Sequence, residues 1–177
     1  MPFSLVPDRV FEDYAAVTPK LLRELGVTLL LSDLDFTLAA KKTRRPDRAL
    51  KDYIAALKDA GIGFVIVSNN RSGDRVTEFC AELGVPYQGR AGKPSPRGIL
   101  AAIERAGGTA VRTAMLGDKL LTDCLAAKRA GVLALTVEPV GGGAGGSVLT
   151  RPIGGGRALN STQLAIWTRQ LAGLVGS

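Results

Sequence analysis

Short apolar runs alternate along this chain with segments of helical spacing, and that alternation constrains the fold more than any other feature. Residues 27–31 are apolar except for the β-branched Thr28, and 63–67, 111–116 and 133–137 repeat the pattern. Runs this short and continuous suit parallel strands covered on both faces. A further extended segment is expected at 86–90. Residues 46–60 place Leu50, Tyr53, Ile54 and Leu57 on one helical face and stop at Gly61. Residues 72–83, 96–106 and 120–130 read as helices that end at Gly84, Gly107 and Gly131. Residues 10–25 also carry apolar side chains at roughly helical spacing, in two pieces around Pro19. Strands and helices of this length imply right-handed βαβ units. The expected fold is α/β, a three-layer Rossmann-like parallel sheet with helices on both faces. Ligands of such sheets bind outside the carboxyl ends of the strands.

A length of 177 residues with 46% hydrophobic and 22% charged residues fits one globular domain. Its expected extent is 1–139. Residues 140–157 are glycine-rich and read as a loop or tail, and 158–177 regain helical spacing through Leu164, Trp167, Leu171 and Leu174, as a helix packing on the domain. No apolar stretch approaches the ~18 residues of a membrane span. Residues 1–10 include Asp8 and lack the apolar block of a signal peptide. A cytoplasmic protein is expected, with peripheral membrane association open to it. Cys80 and Cys124 have no metal-ligand spacing and read as small buried thiols.

The chain has no histidine. That excludes Ser-His-Asp and Cys-His nucleophile systems and His-ligated zinc. Acid–base work falls to carboxylates, lysine or tyrosine, and a metal would be a hard cation held by oxygen. A net charge of +7 favours anionic partners without choosing among them.

Four strand ends carry polar residues that a core would reject. Asp33 and Asp35 follow the first run, two residues apart; like charges so close call for a cation or a split in their protonation. Ser68-Asn69-Asn70 follow the second run, where a hydroxyl and backbone N–H groups suit phosphoryl oxygens. Gly92-Lys93-Pro94 offers a point charge for phosphate. Gly117-Asp118 and, five residues on, Asp123 can complete the oxygen shell of Mg²⁺. Taken singly, each also reads as helix capping or a solvated loop.

In order and placement these sites resemble the four motifs of the haloacid dehalogenase superfamily: Asp33-x-Asp35-x-Thr37, Ser68, Lys93, and Gly117-Asp118-x-x-x-Thr122-Asp123. Together with Asn69-Asn70 and Thr150-Arg151-Pro152 they resemble the YqeG family over about residues 3–157. Those are bacterial subclass IIIA phosphatases, akin to phosphatidylglycerophosphate phosphatases. The chain departs from that pattern at Phe36, usually Asn, at Lys119, often Gln, and in its glycine insert before Thr150. The resemblance implies a Mg²⁺-dependent phosphatase in which Asp33 is the nucleophile and forms an aspartyl-phosphate. It implies Mg²⁺ bound by Asp33, the Asp35 backbone carbonyl and Asp118, with Asp123 a further ligand or the residue that orients one. Asp35 would be the general acid and then base. Thr37, Ser68, Asn69 and Lys93 would bind phosphate, with Ser68 and Lys93 acting in catalysis.

The gaps from Asp35 to Ser68 and from Ser68 to Lys93 are too short for a large cap domain. An open site fits a bulky phosphorylated substrate such as a phospholipid head group, phosphoprotein or nucleotide. Lys41, Lys42, Arg44 and Arg45 stand beside that site in sequence as a basic turn. Two other readings compete. A receiver domain would need a separate phospho-accepting Asp on a later strand, and none precedes Ser68. A weakly catalytic binding protein for RNA or the ribosome fits the charge, but aromatic residues are few and not interleaved with basic ones.

Overall fold

The computed structural model describes residues 6–70 and 73–140. The expectations for 140–157 beyond Val140, for 158–177, for Thr150-Arg151-Pro152 and for the first residues lie outside the described residues. Six strands form one parallel sheet: β1 (Arg9–Phe11), β2 (Leu29–Ser32), β3 (Gly63–Val67), β4 (Tyr87–Gln88), β5 (Thr113–Gly117) and β6 (Leu133–Val137), in the order β1-β6-β5-β2-β3-β4. The helices are α1 (Pro19–Glu24), α2 (Arg48–Asp59), α3 (Asp74–Leu83), α4 (Arg97–Arg105) and α5 (Leu125–Ala130).

Strand alternation builds two cores. Leu30, Ile66, Leu116 and Leu135 face one side, where Leu22, Leu50, Ile54, Leu57, Val76 and Phe79 of α1, α2 and α3 pack on them. Leu29, Leu31, Val65, Val67 and Met115 face the other, against Ile99, Ala102 and Ile103 of α4 and Ala126 and Ala127 of α5. Both faces being covered explains why these strands are apolar without alternation. This is the expected three-layer α/β sheet. The β2–α2 connection spans residues 33–47, and the β3–α3 connection residues 68–73.

Two expectations are corrected. Residues 10–25 are not helical throughout: Arg9–Phe11 is an edge strand paired with β6, Tyr14–Ala16 is a single 3-10 turn, and an α-helix starts only at Pro19. Proline at the first helical position, with Thr18 Oγ1 accepting from Leu21 N, marks a true start there rather than a kink. Nor is 120–130 one regular helix. Leu120–Cys124 is a wider π turn, and α5 begins at Leu125. The Asp123 carboxylate accepts from Lys119 N at 3.1 Å and Cys124 N donates to Lys119 O at 3.2 Å, which widens the turn.

The chain reverses direction across the sheet at β2, with β3 on one side and β5 on the other. The crevice at their carboxyl ends is therefore the switch point where a ligand site belongs.

Candidate active site

Asp33 follows β2 and Asp118 follows β5, on adjacent strands held in register by Asp33 N donating to Leu116 O at 2.9 Å. The π turn adds Asp123. Ligand oxygens of these three buried carboxylates lie within 4.8 Å of one another. Gly117 makes the approach possible: a Cβ there would stand 2.4 Å from Asp123 Cγ.

Lys93 enters from the loop after β4, 5% exposed. Its Nζ donates to Asp33 Oδ1 at 2.9 Å, to Asp123 Oδ1 at 2.6 Å and to Val67 O at 2.9 Å, so all three of its protons are used. Burial works against its charge, but Asp123 and Asp33 outweigh burial and hold the ammonium above its ordinary value. The Asn69 side chain fixes this loop: Nδ2 donates to Lys93 O and Oδ1 accepts from Lys93 N, both at 2.8 Å.

Were all three ionised, the carboxylates would exceed the one buried ammonium by two negative charges, and the site resists that. Burial raises Asp33 above the ordinary carboxylate range, Lys93 opposing and Asp123 adding to the rise. Asp118 is pushed up to about 7, first by burial and then by the charge of Asp123. Its Oδ1 accepts from Thr37 Oγ1 at 3.1 Å and from Lys119 Nζ at 3.5 Å, while its buried Oδ2 has no partner among the described residues. An all-oxygen donor set, an orphaned buried oxygen and carboxylates whose ionisation burial and mutual repulsion oppose fit a hard divalent cation.

The loop 33–39 is tight. Thr37 N and Leu38 N both donate to Leu34 O, and Phe36 N donates to Ala39 O. Phe36 sits at φ 65°, a left-handed conformation costly for a bulky residue and easier for Asn. Lys119 Nζ lies 5.5 Å from the Phe36 ring centroid, so the two family departures touch each other.

Of the expected site residues, Asp33, Asp118, Asp123 and Lys93 converge directly, and Thr37 joins them through Asp118. Ser68, buried at the end of β3, accepts from Asn70 N at 3.2 Å. The Asp35 side chain points elsewhere. It pairs with Arg75 Nη2 and accepts from Asn70 Nδ2 at 3.0 Å. Arg75 Nη1 also donates to Thr43 O at 2.7 Å. Arg75 escapes motif reasoning; its only sequence signal is its place in the first turn of the helix after Ser68. In the basic turn, Arg45 is bound to Glu82, which also binds Lys51, while Lys41 lines a cavity with Asp35.

A model of the haloacid dehalogenase-like hydrolases matches residues 6–131, which hold every one of these side chains. The chain belongs to that family. It is 32% identical over 135 residues to the probable phosphatase YqeG of Bacillus subtilis, covering 76% of this chain and 78% of that one. Within the haloacid dehalogenase-like hydrolases it is a phosphatase, a phosphoric monoester hydrolase. Solved structures of the family share its fold. The cobalt-bound deoxy-D-mannose-octulosonate 8-phosphate phosphatase of Haemophilus influenzae has 17% identity and a TM-score of 0.53, over 84% of this chain and 91% of that one. The 3-deoxy-D-manno-octulosonate 8-phosphate phosphatase of Moraxella catarrhalis, solved with a magnesium ion, a phosphate ion and KDO, has 16% identity and a TM-score of 0.50, over 88% and 90%. No helix among the described residues is long and apolar enough to cross a membrane.

Proposed function

We propose that this phosphatase moves the phosphoryl group of a monoester onto Asp33 and then onto water, with Mg²⁺ as its cation. The observation that carries the reading is the buried meeting of Asp33, Asp118, Asp123 and Lys93 at the switch point of the sheet. Asp33, Asp118 and Asp123 would hold Mg²⁺ through side chains, and Asp35 through its backbone carbonyl. Bound there, the cation would offset charge on the phosphoryl group and keep the carboxylates ionised.

Asp33 is the nucleophile. Lys93, tied to its Oδ1, aims it and offers positive charge to phosphoryl oxygens. Ser68 accepts from Asn70 N and keeps its own hydroxyl proton for a phosphoryl oxygen. Thr37 orients Asp118, and Asn69 positions Lys93; any phosphate contact of Asn69 is left to its backbone N–H. Asp35 stands on the leaving-group side as the acid that protonates the ester oxygen and the base that then activates water. An uncapped site suits a bulky phosphorylated substrate, such as a phospholipid head group, phosphoprotein or nucleotide, met in the cytoplasm or at a membrane surface.

Hydrolysis of p-nitrophenyl phosphate, with Mg²⁺ or with EDTA, tests this in wild type and Asp33→Asn. Mg²⁺-dependent release is expected, with a loss of at least about 10³-fold in the variant. Equal turnover in the variant would overturn the nucleophile assignment.

A further inference from the structure

A cavity of about 340 Å³ is lined by Asp35, two residues on from Asp33, and by Lys41, Asn70, Asp74 and Arg75. Its position is set by Asp35, the residue on the leaving-group side, so the inference below rests on the proposed phosphatase chemistry. With Asp35 as the acid, the group that the ester oxygen carries would lie against this cavity.

The wall has an unusual charge arrangement. Arg75 is mostly buried, its side chain 21% exposed, and its guanidinium bridges Asp35 and the Thr43 carbonyl. Among the described residues Lys41 makes no ion pair, and neither do the neighbouring Lys42 and Arg44. Asp74 supplies the opposing charge on the cavity wall. A guanidinium is a planar fork that matches carboxylate and phosphate bidentately, and a lysine beside it adds a mobile point charge. The Asp35 carboxylate takes one arm of that fork, at Nη2, and the Thr43 carbonyl takes the other, at Nη1.

We propose that Arg75 and Lys41 form an anion-reading subsite that selects esters whose leaving group carries a second anionic group, carboxylate or phosphate. Arg75 is the specificity-determining residue. It exchanges part of its contact with Asp35 for the substrate's anion while Thr43 O keeps the guanidinium in place. Lys41 closes over the same anion from the loop. A neutral leaving group meets a wall whose buried cation stays on Asp35, and it gains nothing there.

The test compares kcat/KM for glycerol 3-phosphate, 3-phosphoglycerate and glycerol 1,3-bisphosphate in Mg²⁺. These share the reacting phosphate and add nothing, a carboxylate or a phosphate to the leaving group. The bisphosphate value is halved for its two equivalent esters. Wild type is expected to favour at least one charged ester by about tenfold or more, and the two charged probes show which anion is read. Arg75→Gln is expected to bring the three within about threefold, and Lys41→Gln to reduce the preference in part. Equal values in wild type, or a preference that survives Arg75→Gln, would overturn the subsite. Should Arg75→Gln fail to fold, Lys41→Gln on the surface decides, and an unchanged preference overturns the proposal. If wild type turned over none of these esters nor p-nitrophenyl phosphate, the phosphatase reading itself would fail. Calorimetric binding of the three corresponding methylene phosphonates would then still read the same order, and equal binding would overturn the subsite on its own.

Discussion

Asp118 is the side chain whose chemistry depends most on what else is present. Its carboxyl, normally near 3.8, is pushed up to about 7 by burial and by Asp123. A raised folded value means that the folded protein holds a proton the unfolded chain has lost. In metal-free protein that contribution to stability is complete at pH 4 and disappears as pH rises through 7. In EDTA, the melting temperature of wild type is therefore expected to fall relative to Asp118→Asn between pH 5 and pH 8; parallel curves would contradict it. Lys93 is the complementary case. Replacing it by Met leaves Asp33 and Asp123 buried beside each other without a cation. Breaking such a pair costs about 3–5 kcal/mol. The expected signature in urea unfolding is a loss of that order in EDTA that shrinks markedly in Mg²⁺. An equal loss in both would mean that the carboxylates hold no cation.

Elements decide where those side chains meet. The π turn at Leu120–Cys124 and Gly117 together bring Asp123 against β5. Gly117→Ala forces Asp123 away, with an expected destabilisation of about 1–3 kcal/mol and a weaker response of turnover to Mg²⁺. An unchanged Mg²⁺ response would show that Asp123 can move without consequence. At this scale the sequence is legible in part. Leu30, Leu31, Val65 and Leu116 announce strands buried on both faces, and Asp33 and Asp118 are visible because they break such runs at their carboxyl ends. Two errors have different causes. Val10, Tyr14 and Val17 satisfy helical spacing, yet Arg9–Phe11 pairs with β6, a long-range contact that local periodicity cannot contain. The regular helix expected at 120–130 gives way to a π turn because the Asp123 carboxylate bonds the Lys119 backbone. Arg75 stays hidden for the first of these reasons, since its partners Asp35 and Thr43 come from another loop.

Across the described residues the protein is an α/β sheet whose switch point gathers three carboxylates and one ammonium in a chain of net charge +7. The positive charge is general, whereas the negative charge is concentrated where a cation would sit. On the proposed function, a substrate anion would be drawn to the surface and its reacting phosphate accepted only once the negative charge of the centre had been offset. The central claim is that the phosphoryl group passes through a covalent bond to Asp33. Its most direct test is a rapid acid quench of wild type turning over p-nitrophenyl phosphate in Mg²⁺, with borohydride reduction and peptide mass spectrometry. The account expects reduction of an acyl phosphate at Asp33 alone, converting that residue to homoserine, and none in EDTA. Substrate turnover with Asp33 unmodified, or with the modification at Asp118 or Asp123, would contradict it.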